Sequence, residues 1–125
     1  MRKKLYDHIN DCLLYIDREA DEEFWDEKWK KSAKETFTSP PRHGATIRTT
    51  SRYLPIGSRV LEGGCGLGDI VHALHEAGYV AEGIDFAPKV VKAINTNWPH
   101  LNVTIGDVRH IASTDDFYDG YWSFG

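Results

Sequence analysis

The sequence has 125 residues, 41% of them apolar and 12% aromatic, with 15 Lys and Arg against 19 Asp and Glu for a formal net charge of −4. Such a composition is neither disordered nor fibrous, its length suits one domain or part of one, and an acidic chain without a block of like charge disfavours nucleic acid as its main partner. Cys12 and Cys65 form no metal spacing or disulfide framework, and no apolar run approaches the ~18 residues of a membrane span, so a cytoplasmic protein with no membrane partner is expected.

In chain order, Leu5, Ile9, Cys12, Leu13 and Ile16 recur at helical spacing between Asp7, Asp11, Asp17 and Arg18, which predicts an amphipathic helix. Residues 21–34 predict a second helix, with Phe24, Trp25 and Trp29 on one side and Glu22, Asp26 and Lys30 on the other. Pro40-Pro41 stops it. A short third helix over 45–53 ends before Pro55-Ile56-Gly57, so residues 1–57 are expected to form a helical N-terminal cap.

From Ser58 the pattern alternates. Residues 59–62 predict a strand, 63–68 a glycine-rich loop, 69–77 a helix with Ile70, Val71, Leu74 and Ala77 on its apolar side, and Gly78 its stop. A strand over 80–85, a helix over 88–95 opened by Pro88, a strand over 102–105 and a last strand over 120–124 follow. Parallel neighbours need crossover connections. The expected fold class is therefore α/β, a Rossmann-like parallel sheet of about four strands flanked by helices, in residues 58–125.

Glu62-Gly63-Gly64-Cys65-Gly66-Leu67-Gly68 follows a strand and opens a helix, the context in which a glycine loop lets the backbone approach a nucleotide-type ligand. Asp85 at the end of the second strand offers a carboxylate to ribose hydroxyls, and Asp107, one strand further out, an acceptor for an exocyclic amine. A dinucleotide pattern wants glycine at its sixth position, and counting from Gly64 that position is Asp69. Glu62, Asp69, Asp85 and Asp107 predict a negative cup. Such a cup suits S-adenosylmethionine, with its sulfonium and ammonium, better than a pyrophosphate.

These residues resemble the class I S-adenosylmethionine-dependent methyltransferases. The matching stretches are Val60 through Gly68, Gly83-Ile84-Asp85-Phe86, Gly106-Asp107-Val108 and Tyr118-Asp119-Gly120-Tyr121-Trp122-Ser123. The resemblance implies S-adenosyl-L-methionine as cofactor, with Glu62 and the Gly63, Gly64, Cys65 and Gly66 backbone beside its methionine portion. It further implies Asp85 on the ribose, Phe86 on the adenine face, Asp107 and the Val108 amide at the adenine edge, and Ser123 beside the amino-acid end. The family's sheet has seven strands, so an incomplete class I methyltransferase fold is expected. Its last strand, bearing Tyr121, Trp122 and Phe124, would be an open edge suited to a homodimer.

The expected function is methyl transfer to a small molecule or other acceptor. The alternative is a non-catalytic cofactor-binding or interaction module completed by a partner chain. An NAD-dependent oxidoreductase is disfavoured by the glycine spacing. No catalytic residue is assigned, because methyl transfer rests on positioning. Trp25 and Trp29 are expected to be core before they are ligand contacts, and Arg42 and His43 to be surface before they serve a substrate. Cys65 reads as a small residue close to the ligand. His72 and His75 lack an evident third ligand and read as a solvated face, so no metal is expected.

Overall fold

A computed structural model describes residues 3–16 and 20–124. Its first element corrects the sequence reading. Strands β1 (Lys3–Asp7) and β2 (Cys12–Ile16) form an antiparallel hairpin, with Leu5 opposite Leu14, Tyr6 opposite Leu13 and Asp7 opposite Cys12. The expected amphipathic helix is absent there, and Asp17 and Arg18 lie outside the described residues. Asp7 decides the turn: its Oδ1 accepts from the amides of Ile9 and Asn10 at 2.9 and 3.1 Å, and its Oδ2 from Asn10 Nδ2 at 2.8 Å. Asp11 takes a positive φ of 49°, and Tyr6 donates its hydroxyl to the Asp11 carboxylate. These local bonds offer the backbone an alternative to a helix, and the apolar stripe finds no helix-sized partner, because Leu5, Ile9, Leu13 and Leu14 are all exposed.

Helix α1 (Glu22–Thr38) begins at Asp21, whose side chain accepts from the Phe24 amide at 2.9 Å, and it ends before the Pro pair. Helix α2 (Gly44–Tyr53) follows. Asp26, expected on the polar side of α1, is instead buried, and it accepts from the Val90 amide at 3.2 Å in the first turn of helix α4 (Pro88–Asn97). A carboxylate at a helix N-terminus is stabilised by the orphan donors and the dipole there, which accounts for its burial.

Strands β3 (Arg59–Gly63), β4 (Val80–Asp85), β5 (Asn102–Ile105) and β6 (Gly120–Trp122) make one parallel sheet in the order β5-β4-β3-β6. Helix α3 (Asp69–Glu76) connects β3 to β4, and α4 connects β4 to β5. On one face Val60, Ala81 and Val103 pack with Val71 and Leu74 of α3 and with Val91 and Ile94 of α4. Trp25, Trp29 and Phe37 of α1, with Ile47 of α2, close over this core. Glu82, Ile84 and Thr104 on the other face line a shallow cavity with Ile111 and Tyr118 from the segment between β5 and β6. Among the described residues, no helix is long and apolar enough to cross a membrane.

Candidate functional site

The chain lays β3, β4 and β5 outward in one direction and then returns to place β6 on the other side of β3. In an open parallel sheet, the carboxyl ends of the strands beside such a reversal form a crevice that binds ligands. Here that crevice begins with the loop from Gly63 to Gly68. Gly64, Gly66 and Gly68 have φ of 67°, 52° and 73°, a conformation that side chains with a Cβ resist. In front of Gly64 the space is open: a Cβ built there would meet nothing within 4 Å. Gly63, by contrast, lies under the Tyr121 ring and against Val108.

Trp29 closes the outer side of the loop. A Cβ on Gly66 would stand 2.8 Å from its ring, and the Trp29 and Trp25 rings stack at 6.2 Å with the Lys28 ammonium 4.4 Å from the Trp25 ring centre. Both tryptophans belong to the packing of the core, the commoner of the two roles expected for them. Gly66→Ala is expected to cost about 2–4 kcal/mol, from the left-handed backbone and from overpacking together. Trp29→Ala in the same chain should return the packing share and leave the backbone share, measured by urea unfolding of the two single variants and the double. A fully additive double variant would show that Trp29 does not press on Gly66.

Each carboxylate of the expected negative cup is compensated, and differently. Glu62 is 4% exposed, its Oε2 has no hydrogen-bond partner, and burial with Asp69 and Asp85 nearby pushes its pKa up to about 8. It is therefore protonated at neutral pH. Asp69 meets His43 Nε2 at 2.7 Å. Asp85 is buried, with Oδ2 accepting from the Gly66 amide at 2.8 Å and Oδ1 from the Ala87 amide at 2.9 Å. Asp107 is clamped by Arg109, whose Nη2 lies 2.6 Å from Oδ2, and this pair holds its carboxyl down at about 2. Four bare charges at one place would repel; the sequence shows the acids and not the groups that neutralise them.

Cys65 packs inward. Its side chain is 3% exposed and turned into the core, where its Sγ would stand 2.9 Å from a Cβ on Gly83, so only its backbone borders the crevice. Burial and the nearby Glu62 and Asp85 push its thiol well up, which leaves it unreactive at neutral pH. Phe86 and Val108 are exposed at the same edge, and Ser123 follows β6 directly, exposed. His43 itself takes a φ of 46° just before α2, and its bond to Asp69 sets an imidazole beside the start of α3, a link that 26 residues of separation hid from the sequence.

No protein-family model matches the chain, and no curated protein matches it. Solved structures do. A TehB-like S-adenosylmethionine-dependent methyltransferase from Corynebacterium glutamicum superposes with a TM-score of 0.63 at 24% identity, covering 80% of this chain and 54% of that one. CalS10, an amino pentose methyltransferase from Micromonospora echinaspora with bound S-adenosylmethionine, gives 0.59 at 18%, covering 76% and 41%. Magnesium protoporphyrin IX methyltransferase from Synechocystis, also with the cofactor bound, gives 0.52 at 15%, covering 86% and 50%. The chain spans about half the length of these structures. Its parallel sheet and flanking helices share the Rossmann-like fold of these methyltransferase structures.

Proposed function

We propose that the chain binds S-adenosyl-L-methionine in the crevice above β3, β4 and β6, as part of a methyltransferase acting on a small-molecule acceptor. The observation that carries this reading is the loop itself. Its positive-φ glycines leave open space at Gly64, two residues after a buried glutamate whose Oε2 lacks a partner. An ammonium donor such as that of the methionine portion fits an orphaned acceptor. Asp85 keeps one lone pair on each oxygen for the ribose, Phe86 offers its exposed ring to the adenine, and Asp107 and the Val108 amide line the adenine edge. Gly63, Cys65 and Gly66 contribute backbone, and Ser123 lies beside the amino-acid end.

When bound, the cofactor would supply a methyl carbon activated by its positive sulfur. The chain's task is to hold the two partners aligned, an arrangement worth about 7–11 kcal/mol in well-oriented systems. Should the acceptor be a hydroxyl, its proton must go to a base. His43, steadied by Asp69 at the start of α3, is an imidazole held beside the end of the loop that can take it.

Thermal unfolding tests the binding. S-adenosylhomocysteine at 100 times its dissociation constant should stabilise the chain by about 2.7 kcal/mol. NAD should not. Stabilisation by NAD and none by S-adenosylhomocysteine would overturn the reading.

The second reading, a non-catalytic module completed by another chain, is favoured by one feature: β6 pairs on one side only, and Tyr121 and Phe124 are exposed beside it. Under either reading the 125-residue chain should form a dimer through this edge, seen by light scattering as a mass that doubles with concentration. A monomer at every concentration would dismiss the edge contact. Methyl transfer to any acceptor would dismiss the non-catalytic module.

A further inference from the structure

A second cluster lies at the other end of α3, away from the glycine loop. His72 and Glu76 are one helical turn apart and share a face of α3, and His100, in the turn between α4 and β5, comes up beside them. One ligand atom from each, an imidazole nitrogen or a carboxylate oxygen, falls within 4.8 Å of the others. Among the described residues this is the one group of three such side chains so placed. Of the His72 and His75 pair weighed from the sequence only His72 belongs to this group, joined by Glu76 and by His100 from a turn far along the chain.

We propose that His72, Glu76 and His100 form a binding site for a divalent transition metal of the zinc type, joining α3 to the turn before β5. The donor set decides the metal class. Two imidazoles and one carboxylate suit zinc, nickel or copper, whereas magnesium and calcium prefer all-oxygen shells. Bonds of about 2.0–2.2 Å put the donors of a tetrahedral ion roughly 3.3–3.5 Å apart. Glu76 and His100 are exposed, the His100 ring with its centroid 5.2 Å from that of His75 and 6.2 Å from that of His72, while the ring of His72 is held by Trp98, with centroids 4.5 Å apart and planes tilted by 32°. Three protein ligands leave the fourth position of the ion to water, and the site would add metal bonds to the ring contacts that already join α3 to this turn.

The test is a titration of the full chain with ZnCl2 and, separately, MgCl2, read by calorimetry and by the unfolding temperature. One zinc ion should bind per chain and raise that temperature, and magnesium should do neither. His100→Ala and Glu76→Gln alter exposed side chains, so they should unfold at the parent's temperature without metal and lose zinc affinity by about 10–100-fold or more, since even changes one shell further out cost that much. His8→Ala, in the turn between β1 and β2 and outside the cluster, should keep the parent's affinity. Zinc binding of equal strength in the parent and in His100→Ala, or no binding to the parent, overturns the proposal.

Discussion

Glu62→Gln is expected to make the free chain more stable than the parent at pH 8 and to flatten its stability between pH 5 and 8. The folded chain holds the Glu62 proton up to about pH 8, whereas the side chain's ordinary value is 4.5. Between those values the folded state carries the extra proton, so stability is fully present below pH 4.5 and falls as pH rises through the window. The fall attributable to this one group is on the order of 5 kcal/mol. Glutamine carries no charge, but it places an amide where Oε2 already lacks a partner, a pH-independent penalty of about 1–3 kcal/mol. Urea unfolding of both chains from pH 5 to 8.5 measures the difference. Parallel curves would mean that Glu62 ionises normally in the fold. Under the proposed function, an ammonium brought to Glu62 releases this proton, so cofactor affinity in the parent should rise with pH over the same range and in Glu62→Gln should not.

Asp85→Ala is expected to destabilise the fold by about 2–6 kcal/mol, because it leaves the buried Gly66 and Ala87 amides without acceptors, at roughly 1–3 kcal/mol each. Asp85→Asn keeps one oxygen and should lose about half as much. Since the alanine variant changes the loop as well as the ligand contact, the asparagine variant is the one for binding. In calorimetric titration it should weaken cofactor affinity more than Cys65→Ala, whose side chain faces the core. Equal stability of Asp85→Ala and the parent would show that the carboxylate does not hold the loop.

The sheet was legible because its signals are local. Short apolar runs bounded by Gly57, Gly78 and the glycine loop admit little besides strands, and the helices between them carry their own stops. At the N-terminus, spacings of three and four residues in Leu5, Ile9, Cys12 and Leu13 satisfied a helix, but Asp7 bonding back to Ile9 and Asn10 outweighed them. Asp26 shows the other limit. Its place on a helical wheel says polar and exposed, and only the distant N-terminus of α4, meeting it at Val90, makes a buried carboxylate stable. The candidate site divides the same way: the glycines and Asp85 are visible as a motif, while His43 on Asp69, Arg109 on Asp107 and Trp29 on Gly66 depend on contacts that the motif does not encode.

Strand β6 has a consequence for how the molecule breathes. It is three residues long, pairs among the described strands with β3 alone, and is also held by Trp122, which packs on the core and bonds through Nε1 to Thr50 Oγ1 at 3.0 Å, and by the Asp119 carboxylate, which accepts from the Arg59 amide at 2.7 Å. Central strands share their bonds with two neighbours, whereas this one opens at a small fraction of the global unfolding free energy. Amide exchange should therefore run fastest among the sheet strands at Tyr121 and Trp122. Each such opening lifts the Tyr121 ring off Gly63, so the first glycine of the loop is uncovered as often as one short strand frays.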